Sequence, residues 1–310
     1  MILTLTLNPA IDKTIIVSKF ALGQVHRVSK SYLDPAGKGI NVSRLADRMG
    51  CPSIAFGFLA GEMGLLNQRV LQEEGVQSHF VRVPGQTRLN VTVYDEDTAT
   101  GTSFYDSGPT VEQVHLAKLE DDIKPWFPAC KVLVVAGSMP PGVPDSVYAD
   151  YITLAHSTGT KTILDSDGQP MRLGIKARPY LIKPNLGEME RLVGRTLPDT
   201  SSVIDAAREV QAEGVEVVIV SMGAQGAICS YQDQVWRAIP PQVELRSTVG
   251  SGDSMVAGLA VSIARKETVI EGLRLGTAAG AATAMVQGST LGTHADVQRL
   301  LGQVRIERLV

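Results

Sequence analysis

The stretch VEVVIVS at residues 215–221 decides the fold. Such a near-continuous apolar run predicts a strand that is buried on both faces, as strands are in a parallel sheet. A helical pattern of apolar residues precedes it at 201–213, and strand, helix and strand patterns follow one another from residue 53. This alternation predicts an α/β protein with a doubly wound, mainly parallel sheet flanked by helices.

A smaller β-rich region interrupts the alternation. Residues 87–105 are typical of a hairpin, because apolar and polar residues alternate there on either side of a polar turn. Two further β-rich stretches lie at about 13–19 and 25–33. Together these regions predict a small β-sheet lid on a single domain, with bounds of about 10–35 and 87–107 for the lid and 1–310 for the domain.

The bulk composition excludes several functional classes. The chain of 310 residues has 29 Lys+Arg against 32 Asp+Glu, a formal net charge of −3, so no overall positive field would attract nucleic acid or an anionic membrane. Cys51, Cys130 and Cys229 form no C-x-x-C pair, which argues against a disulfide framework or a thiolate metal site. The N-terminus lacks the basic region of a signal peptide, and no apolar run reaches the ~18 residues of a membrane helix. These features predict a cytoplasmic protein whose ligands are small molecules.

The segment TVGSGDSM at Thr248–Met255 carries the chemistry and leads directly into a helix. Its glycines let consecutive backbone N–H groups point away from the chain, and the helix dipole adds positive charge, so Gly250, Ser251 and Gly252 form a predicted anion site. Phosphoryl transfer needs such a site and a base that accepts the proton of the acceptor hydroxyl. Asp253 stands beside the anion site and is the candidate base; the alternative is an aspartate that only caps the helix.

A second glycine-rich segment, AGKGIN at Ala36–Asn41, opens another helix. It combines glycines with the cation Lys38, but it is not a P-loop, because Gly39 stands where Ser or Thr would follow the lysine. With the segment before Asp253 it makes two predicted phosphate sites, which is one more than the nucleotide requires. The acceptor is therefore predicted to carry a phosphate of its own.

Polar residues near the predicted lid are candidates for binding this acceptor. Arg88 and Asn90 fall on one face of the hairpin, where a guanidinium either grips phosphate or is simply solvated. Asp12 follows the first strand, where a carboxylate either accepts hydrogen bonds from sugar hydroxyls or caps a turn. Spacing alone leaves both interpretations open.

Two strand ends supply candidates for binding a nucleotide. Lys183, Asn185 and Glu188 put a cation, an amide and a carboxylate at the carboxyl end of a strand, where open α/β sheets bind ligands. Glu188 and Asn185 can orient waters around Mg²⁺, which keeps several of its waters. The turn SMGAQG at 221–226 follows the buried strand, and its glycines permit either close approach of a nucleotide or an ordinary tight turn.

Together these segments resemble the PfkB, or ribokinase-like, family of sugar kinases from Thr4 to about Gly292. STVGSGDS at 247–254 looks like the family's G-A-G-D element, with Ser251 in place of Ala. The resemblance implies an ATP-dependent kinase in which Asp253 is the catalytic base and Gly250, Ser251 and Gly252 form the anion hole. It implies sugar-phosphate binding by Asp12, Gly37, Lys38, Asn41, Arg88, Asn90, Ser138 and Asp253. It implies nucleotide binding by Lys183, Asn185, Ser221, Gly223, Gly226 and Gly252. It implies Mg²⁺ at Glu188 and Asn185, and a monovalent cation, K⁺, at Ser247, Val249 and Gly288.

Within that family the chain resembles the branch of phosphofructokinases and tagatose-6-phosphate kinases, through TLTLNPAID at 4–12 and TRLN at 87–90, and AGKGIN at 36–41 most resembles the 1-phosphofructokinases. This resemblance implies phosphorylation of fructose 1-phosphate to fructose 1,6-bisphosphate, with 6-phosphofructokinase of the minor type and tagatose-6-phosphate kinase as alternatives. It also implies a homodimer held through the lids. A non-catalytic sugar-phosphate-binding protein is the alternative from another class. A nicotinamide dehydrogenase is disfavoured, because no G-x-G-x-x-G follows the first strand.

Overall fold

Strands and helices alternate along most of the chain. The computed structural model describes residues 1–98, 100–288 and 290–310. The strands are β1 (Ile2–Thr6), β2 (Ala10–Val17), β3 (Lys30–Ala36), β4 (Ser53–Leu59), β5 (Gln77–Arg82), β6 (Arg88–Asp95), β7 (Thr100–Phe104), β8 (Val132–Ala136), β9 (Lys161–Asp165), β10 (Leu181–Ile182), β11 (Val217–Ser221), β12 (Ala227–Tyr231), β13 (Gln234–Ile239) and β14 (Arg305–Arg308). The helices are α1 (Lys38–Arg48), α2 (Gly61–Glu73), α3 (Gln113–Ile123), α4 (Val147–His156), α5 (Gly168–Lys176), α6 (Leu186–Val193), α7 (Thr200–Ala212), α8 (Ser251–Ala264), α9 (Val269–Ala284) and α10 (His294–Leu301). Short 3-10 helices lie at Lys124–Ala129 and Gly223–Gln225.

The larger sheet of the described residues has ten strands in the order β14-β13-β12-β11-β10-β9-β8-β1-β4-β5. The seven neighbouring strands from β5 to β11 run parallel. β12, β13 and β14 add an antiparallel edge. The predicted α/β architecture with a mainly parallel sheet is therefore confirmed.

Both faces of this sheet are buried, because its central strands are apolar at successive positions. In β8, Leu133 and Val135 pack on one face, while Val132 and Val134 pack on the other. Helices α3 to α7 contribute side chains to the core on the first face, and α1, α8, α9 and α10 contribute to the core on the second. A strand between two such layers needs apolar side chains on both faces, which explains the VEVVIVS run.

The chain reverses its direction of travel across the sheet between β1 and β8. From β1 it proceeds to β4 and β5 on one side, then returns to β8 and continues through β9, β10 and β11 on the other. In open parallel sheets, ligands bind outside the carboxyl ends of the strands at such a switch point. The fold therefore predicts a site where β1, β8, β9 and β10 end.

A smaller sheet with the strand order β3-β2-β6-β7 lies apart from the large one. β2 runs antiparallel to β3 and parallel to β6, in a register that sets Asp12 opposite both Asp34 and Asn90. All of β7 is exposed. These strands occupy the two regions that the sequence predicts for the lid; of the predicted hairpin, residue 99 lies outside the described residues.

Several local predictions differ from the structure. β2 begins at Ala10 and β3 at Lys30, whereas the sequence places these strands at about 13–19 and 25–33. The sequence pattern does not predict α3 or α5; α5 contains two glycines and a proline, which are poor helix formers. Near the end of the chain the pattern predicts a helix over about 294–304, whereas α10 ends at Leu301 and β14 follows. β14 reads RIER and is largely exposed, so it is a strand through its pairing with the edge strand β13 and not through an apolar pattern.

None of the helices in the described ranges combines the length and the apolarity that a membrane crossing needs.

Candidate active site

Polar residues meet at the carboxyl ends of the strands beside the switch point. Asn8 follows β1, and its Nδ2 lies 3.5 Å from Oγ of Ser138, which follows β8. Asp165 is the last residue of β9, and Lys183 follows β10. The Lys183 ammonium lies 3.6 Å from the Asp165 carboxylate, and the two side chains are 3% and 1% exposed. The crevice predicted by the topology thus contains a buried ion pair.

Helix α8 begins at this crevice with the predicted anion site. Gly250 is its N-cap, in a left-handed conformation (φ 76°) that favours glycine, and no side chain caps the helix. The first turn of α8 therefore has no side-chain cap where an anion can bind, although the Ser251 N–H also donates to the Thr248 carbonyl at 3.3 Å. Gly252 lies next to the Lys183 ammonium, because a Cβ atom placed on it would stand 3.5 Å from Nζ. The predicted anion site is thus lined by glycines and by a buried cation.

Asp253 lies in the first turn of α8 and contacts helix α1. Its Oδ2 accepts a hydrogen bond of 2.8 Å from Asn41 Nδ2. Since this carboxylate contacts another helix and the cap of α8 is Gly250, the structure does not support the alternative of a capping aspartate. Asp253 is thus held beside the anion site by a residue of the second glycine-rich segment.

Lys38, the first residue of α1, joins several carboxylates. Its Nζ lies 3.0 Å from Asp165 Oδ1 and 3.5 Å from Glu188 Oε1. The resemblance assigns Lys38 to the sugar phosphate, whereas one of these contacts places its ammonium beside Glu188, which the resemblance assigns to the Mg²⁺ site. Lys38 therefore stands where the two predicted sets of residues meet.

Burial and ion pairs shift the pKa values of the site in different directions. Burial raises the pKa of Asp253 to about 6. Lys38, Asn41 and Lys183 lower this pKa, whereas the Asp165 carboxylate raises it further. Burial also favours a higher pKa for Asp165, but Lys183 and Lys38 outweigh burial and hold it below its usual value. The pKa of Lys38 lies above its ordinary value, because the neighbouring carboxylates outweigh the effect of burial. Two nearby carboxylates with separated pKa values are typical of acid–base sites.

The residues predicted to bind the sugar phosphate gather around Asn8 and the small sheet. The Arg88 guanidinium donates to the Asn8 carbonyl oxygen from Nε at 3.2 Å and from Nη2 at 2.9 Å. Asn8 in turn reaches Ser138 with its side chain, so it links these two predicted residues. On the small sheet, Asn90 Nδ2 donates to Asp12 Oδ1 at 2.9 Å. Asp12 lies inside β2 and not in a turn.

The residues predicted to bind the nucleotide are held by local hydrogen bonds. Asn185 Oδ1 accepts from the Glu188 backbone N–H at 2.9 Å, and Glu188 Oε2 accepts from the Asn185 N–H at 2.8 Å, which together form a capping box. Ser221 pairs with Asn185 in a parallel bridge. Gly223 opens the following turn, and a Cβ atom on Gly226 would lie 1.9 Å from a backbone oxygen of β13. Only glycine fits at the end of this turn.

The three residues predicted for a monovalent cation also meet. Ser247 Oγ donates to the Gly288 carbonyl at 2.8 Å and accepts from the Val249 N–H at 3.2 Å. Among the residues that the structure describes, no cluster of three or more His, Cys, Asp and Glu side chains is arranged to bind a metal ion.

Two residues of the site escape the sequence analysis. Asp165 could have been found, because a carboxylate that ends a strand of a parallel sheet lies at the edge where ligands bind. Asn8 precedes a proline, and the sequence predicts for it only the end of a strand. Its contacts with Arg88 and Ser138 depend on residues far away in sequence, so local pattern carries no signal for them.

Comparisons with known proteins agree with this arrangement. The family model described as "pfkB family carbohydrate kinase" matches residues 5–296. This chain belongs to the pfkB family of carbohydrate kinases. The glycine-lined turn and its aspartate therefore lie in a kinase of this family.

Individual relatives that resemble this chain include phosphofructokinases. The 1-phosphofructokinase of Escherichia coli is 36% identical over 278 residues, covering 90% of this chain and 89% of that protein. The 1-phosphofructokinase of Bacillus subtilis is 33% identical over 315 residues and 100% of both proteins. A crystal structure of phosphofructokinase-2 from Escherichia coli in complex with potassium has a TM-score of 0.91 and 31% identity, over 97% of this chain and 98% of that one. The predicted family, the fold and the assignment to the sugar-phosphate kinases are confirmed.

We expect Asp253 of this pfkB-family kinase to titrate near pH 6 in the absence of ligands, because burial disfavours its charged form. The carboxylate that can accept a proton is then present above about pH 6 and is lost as the pH falls through that value. A ¹³C NMR titration of the aspartate side-chain carboxyl groups measures this pKa, and the Asp253→Asn variant identifies the resonance. A midpoint near the ordinary value of 3.8 would contradict the prediction.

We expect Asp165→Asn to lower the free energy of unfolding by about 3 kcal/mol, because it leaves the buried Lys183 ammonium without its counter-charge. Asp167→Asn is a matched control two residues along, since Asp167 forms an exposed ion pair with Arg191 and its loss should matter far less. Urea unfolding measures both variants. Equal losses of stability in the two would show that the buried pair does not hold the crevice together.

Proposed function

We propose that this kinase transfers the γ-phosphoryl group of ATP to fructose 1-phosphate and produces fructose 1,6-bisphosphate. The observation that carries the proposal is the Asp253 carboxylate, held by Asn41 at 2.8 Å beside the glycine-lined start of α8. The choice of acceptor is supported by relatives named 1-phosphofructokinase. Fructose 6-phosphate and tagatose 6-phosphate are the alternative acceptors.

Asp253 is the general base of the proposed reaction. A pKa of about 6 leaves its carboxylate ionised at neutral pH, yet makes it a stronger base than an exposed aspartate. It accepts the proton of the acceptor hydroxyl while that oxygen bonds to the γ-phosphorus. The bond from the γ-phosphorus to the β–γ bridging oxygen breaks, and ADP leaves with that bond's electron pair.

The start of α8 stabilises the group that moves. The backbone N–H groups of Gly250, Ser251 and Gly252 are proposed to donate to the transferring phosphoryl oxygens. Lys183 adds a positive charge beside Gly252, and Lys38 adds another across the Asp165 carboxylate. Because ion pairs hold both ammonium groups before any substrate binds, little reorganisation is needed during the reaction.

A divalent cation accompanies the nucleotide in kinases, and we propose Mg²⁺ with Asn185 and Glu188 as the residues that would hold it. These donors fit contact through water, because the capping box already engages Asn185 Oδ1 and Glu188 Oε2 with backbone N–H groups. When bound, Mg²⁺ would supply positive charge that neutralises the phosphate groups of the nucleotide. K⁺ is proposed at Ser247, Val249 and Gly288, and the likeness to a phosphofructokinase-2 solved with potassium supports this site.

The acceptor is proposed to bind between the end of β1 and the small sheet. Arg88 and Ser138, joined through Asn8, are suited to its phosphate group, since guanidinium and hydroxyl groups donate to phosphate oxygens. The Asp12 carboxylate, oriented by Asn90, is suited to sugar hydroxyls. Gly37, the N-cap of α1, provides a second glycine-lined helix start on this side of the site.

The small sheet is proposed to act as a lid and as the contact of a cytoplasmic homodimer. Its strands and connecting segments carry apolar side chains that are more than half exposed, among them Leu22, Val25, Phe104 and Tyr105. Pairing of two such sheets would remove these side chains from water, and exposed apolar surface is one mark of a protein–protein contact. Closure over the acceptor would exclude water, which otherwise competes for the phosphoryl group.

The choice of acceptor is tested by comparing kcat/KM for fructose 1-phosphate, fructose 6-phosphate and tagatose 6-phosphate in a coupled assay of ADP release. We expect fructose 1-phosphate to be preferred by about tenfold or more, because a site built for one phosphate position leaves polar groups unpaired with the others. Preference for another ester would replace the proposed acceptor. Binding without ADP release from any of them would favour the non-catalytic alternative.

The role of Asp253 is tested separately. We expect Asp253→Asn to lower kcat by about 10³-fold, since general base catalysis contributes on that order, while sugar-phosphate affinity measured by calorimetry changes little. Asp121→Asn, at an exposed aspartate of α3, serves as the control and should retain full turnover. Near wild-type turnover in Asp253→Asn would rule out the proposed base.

A further inference from the structure

Arg44 on α1 is a buried cation that the proposed mechanism does not use. Its side chain is 3% exposed, and its Nε and Nη2 donate to the two carboxylate oxygens of Glu74 at 2.8 and 2.6 Å. Its Nη1 donates to the Pro35 carbonyl at 3.2 Å and to Asn41 Oδ1 at 3.4 Å. The ion pair with Glu74 thus fixes the Arg44 guanidinium. Its third nitrogen, Nη1, faces Asn41, the residue that donates to Asp253.

We propose that Arg44 is a positioning residue that fixes the orientation of the Asn41 amide and thereby keeps a hydrogen-bond donor on Asp253. The inference deepens the proposed function and rests on the role of Asp253 as the general base. Arg44 itself touches neither substrate nor transferring group in this scheme, and acts only through Asn41.

The chemistry of the two side chains determines the orientation of the amide. One end of an asparagine amide accepts hydrogen bonds and the other donates, whereas a guanidinium only donates. The end of Asn41 next to Arg44 must therefore be the oxygen, which leaves the NH₂ group facing Asp253 Oδ2. In the reverse orientation two donors would meet at Arg44 and two acceptors at Asp253, and both contacts would be repulsive. Asn41 is 5% exposed, so water has little access to replace either partner.

The hydrogen bond from Asn41 acts within a set of charges that other elements provide. Asp253 faces Lys38 of α1, Asp165 at the end of β9 and Lys183 after β10. Burial raises the pKa of Asp253 most, the two lysines lower it, and Asp165 raises it. The Asn41 donor lowers this pKa because it stabilises the ionised form. Losing the donor would leave all these charges in place and would shift the base toward its protonated form.

Arg48, one turn further along α1, provides a matched control. Its Nη2 lies 3.3 Å from the same Glu74 carboxylate, and its Nη1 donates to the Leu291 carbonyl at 3.0 Å. Its hydrogen bonds within the described residues do not include Asn41. Replacing Arg48 therefore disturbs the same helix and the same ion-pair cluster without acting on the amide.

The test is the pKa of Asp253, measured by ¹³C NMR of the aspartate carboxyl groups in the full-length kinase without ligands. Arg44→Met is expected to raise this pKa by about one unit, the size of effect expected for one hydrogen bond to a charged group. Arg48→Met should leave it unchanged. The acid limb of kcat/KM should move to higher pH by the same amount in Arg44→Met alone. Substrate phosphates ionise near the same pH, but they are common to all variants and cancel in the comparison.

A double-mutant cycle tests whether the effect passes through Asn41. Asn41→Leu removes the donor itself, so adding Arg44→Met in that background should give no further shift. If Arg44→Met does not fold, Arg44→Lys replaces it in each comparison, with Arg48→Lys as its control. Lysine keeps a charge beside Glu74 but lacks the planar fork that reaches both partners, so the shift is expected in this variant too.

The outcomes separate this inference from the proposed function. An unchanged pKa of Asp253 in the folded Arg44 variant, or equal shifts in the Arg44 and Arg48 variants, would overturn the positioning role, while loss of turnover in Asp253→Asn would still support the base. A further shift in the Asn41→Leu background would also overturn it, because Arg44 would then act by another route. Retained turnover in Asp253→Asn would instead remove the base, and the NMR titration would still decide whether Arg44 controls this carboxylate.

Discussion

The rest of the site depends on the ion pairs that the Asp165 carboxylate forms with the ammonium groups of two lysines. Lys183 lies 3.6 Å from it and Lys38 lies 3.0 Å from the same oxygen. Charges removed from water are destabilising unless they are paired. The parallel sheet provides the pairing, because β9 and β10 are neighbours and end at the same edge. The strand order that builds the core therefore also assembles the charged crevice.

The ammonium groups of Lys38 and Lys183 lie among the carboxylates of Asp165 and Glu188, which match their charge near the start of α8. Asp253 adds a negative charge only above about pH 6, because burial raises its pKa to about 6. A phosphoryl group that enters the glycine-lined turn would meet two ammonium groups that ion pairs already orient, of which that of Lys183 is buried. Burial, which raises the pKa of Asp253 against the effect of both lysines, explains how this carboxylate can serve as the proposed base near neutral pH.

The sequence predicts those parts of the fold and site that short segments encode. Apolar runs such as VEVVIVS predict the sheet, the glycines before Asp253 predict an anion site, and the spacing of Asn185 and Glu188 is that of a capping box. Features that depend on long-range pairing escape it. A carboxylate at the end of a strand is visible in the sequence, but the pairing of Asp165 with Lys183 depends on the strand order. β14 is an exposed, charged segment that becomes a strand because β13 offers an edge. Lys38 is an intermediate case, since its glycine-rich segment is visible in the sequence but its carboxylate partners are set by the fold.

Helix α1 connects these parts through three polar residues. Lys38, Asn41 and Arg44 follow one another at intervals of three, so each lies next to the following one on the surface of the helix. α1 is buried along most of its length, and each buried polar side chain therefore needs a partner inside the protein. Three hydrogen bonds in series run from the Pro35 carbonyl in β3 to Arg44, from Arg44 to Asn41, and from Asn41 to Asp253. Since β3 belongs to the small sheet, any displacement of the proposed lid must be accommodated by this chain of contacts, which ends on the proposed base.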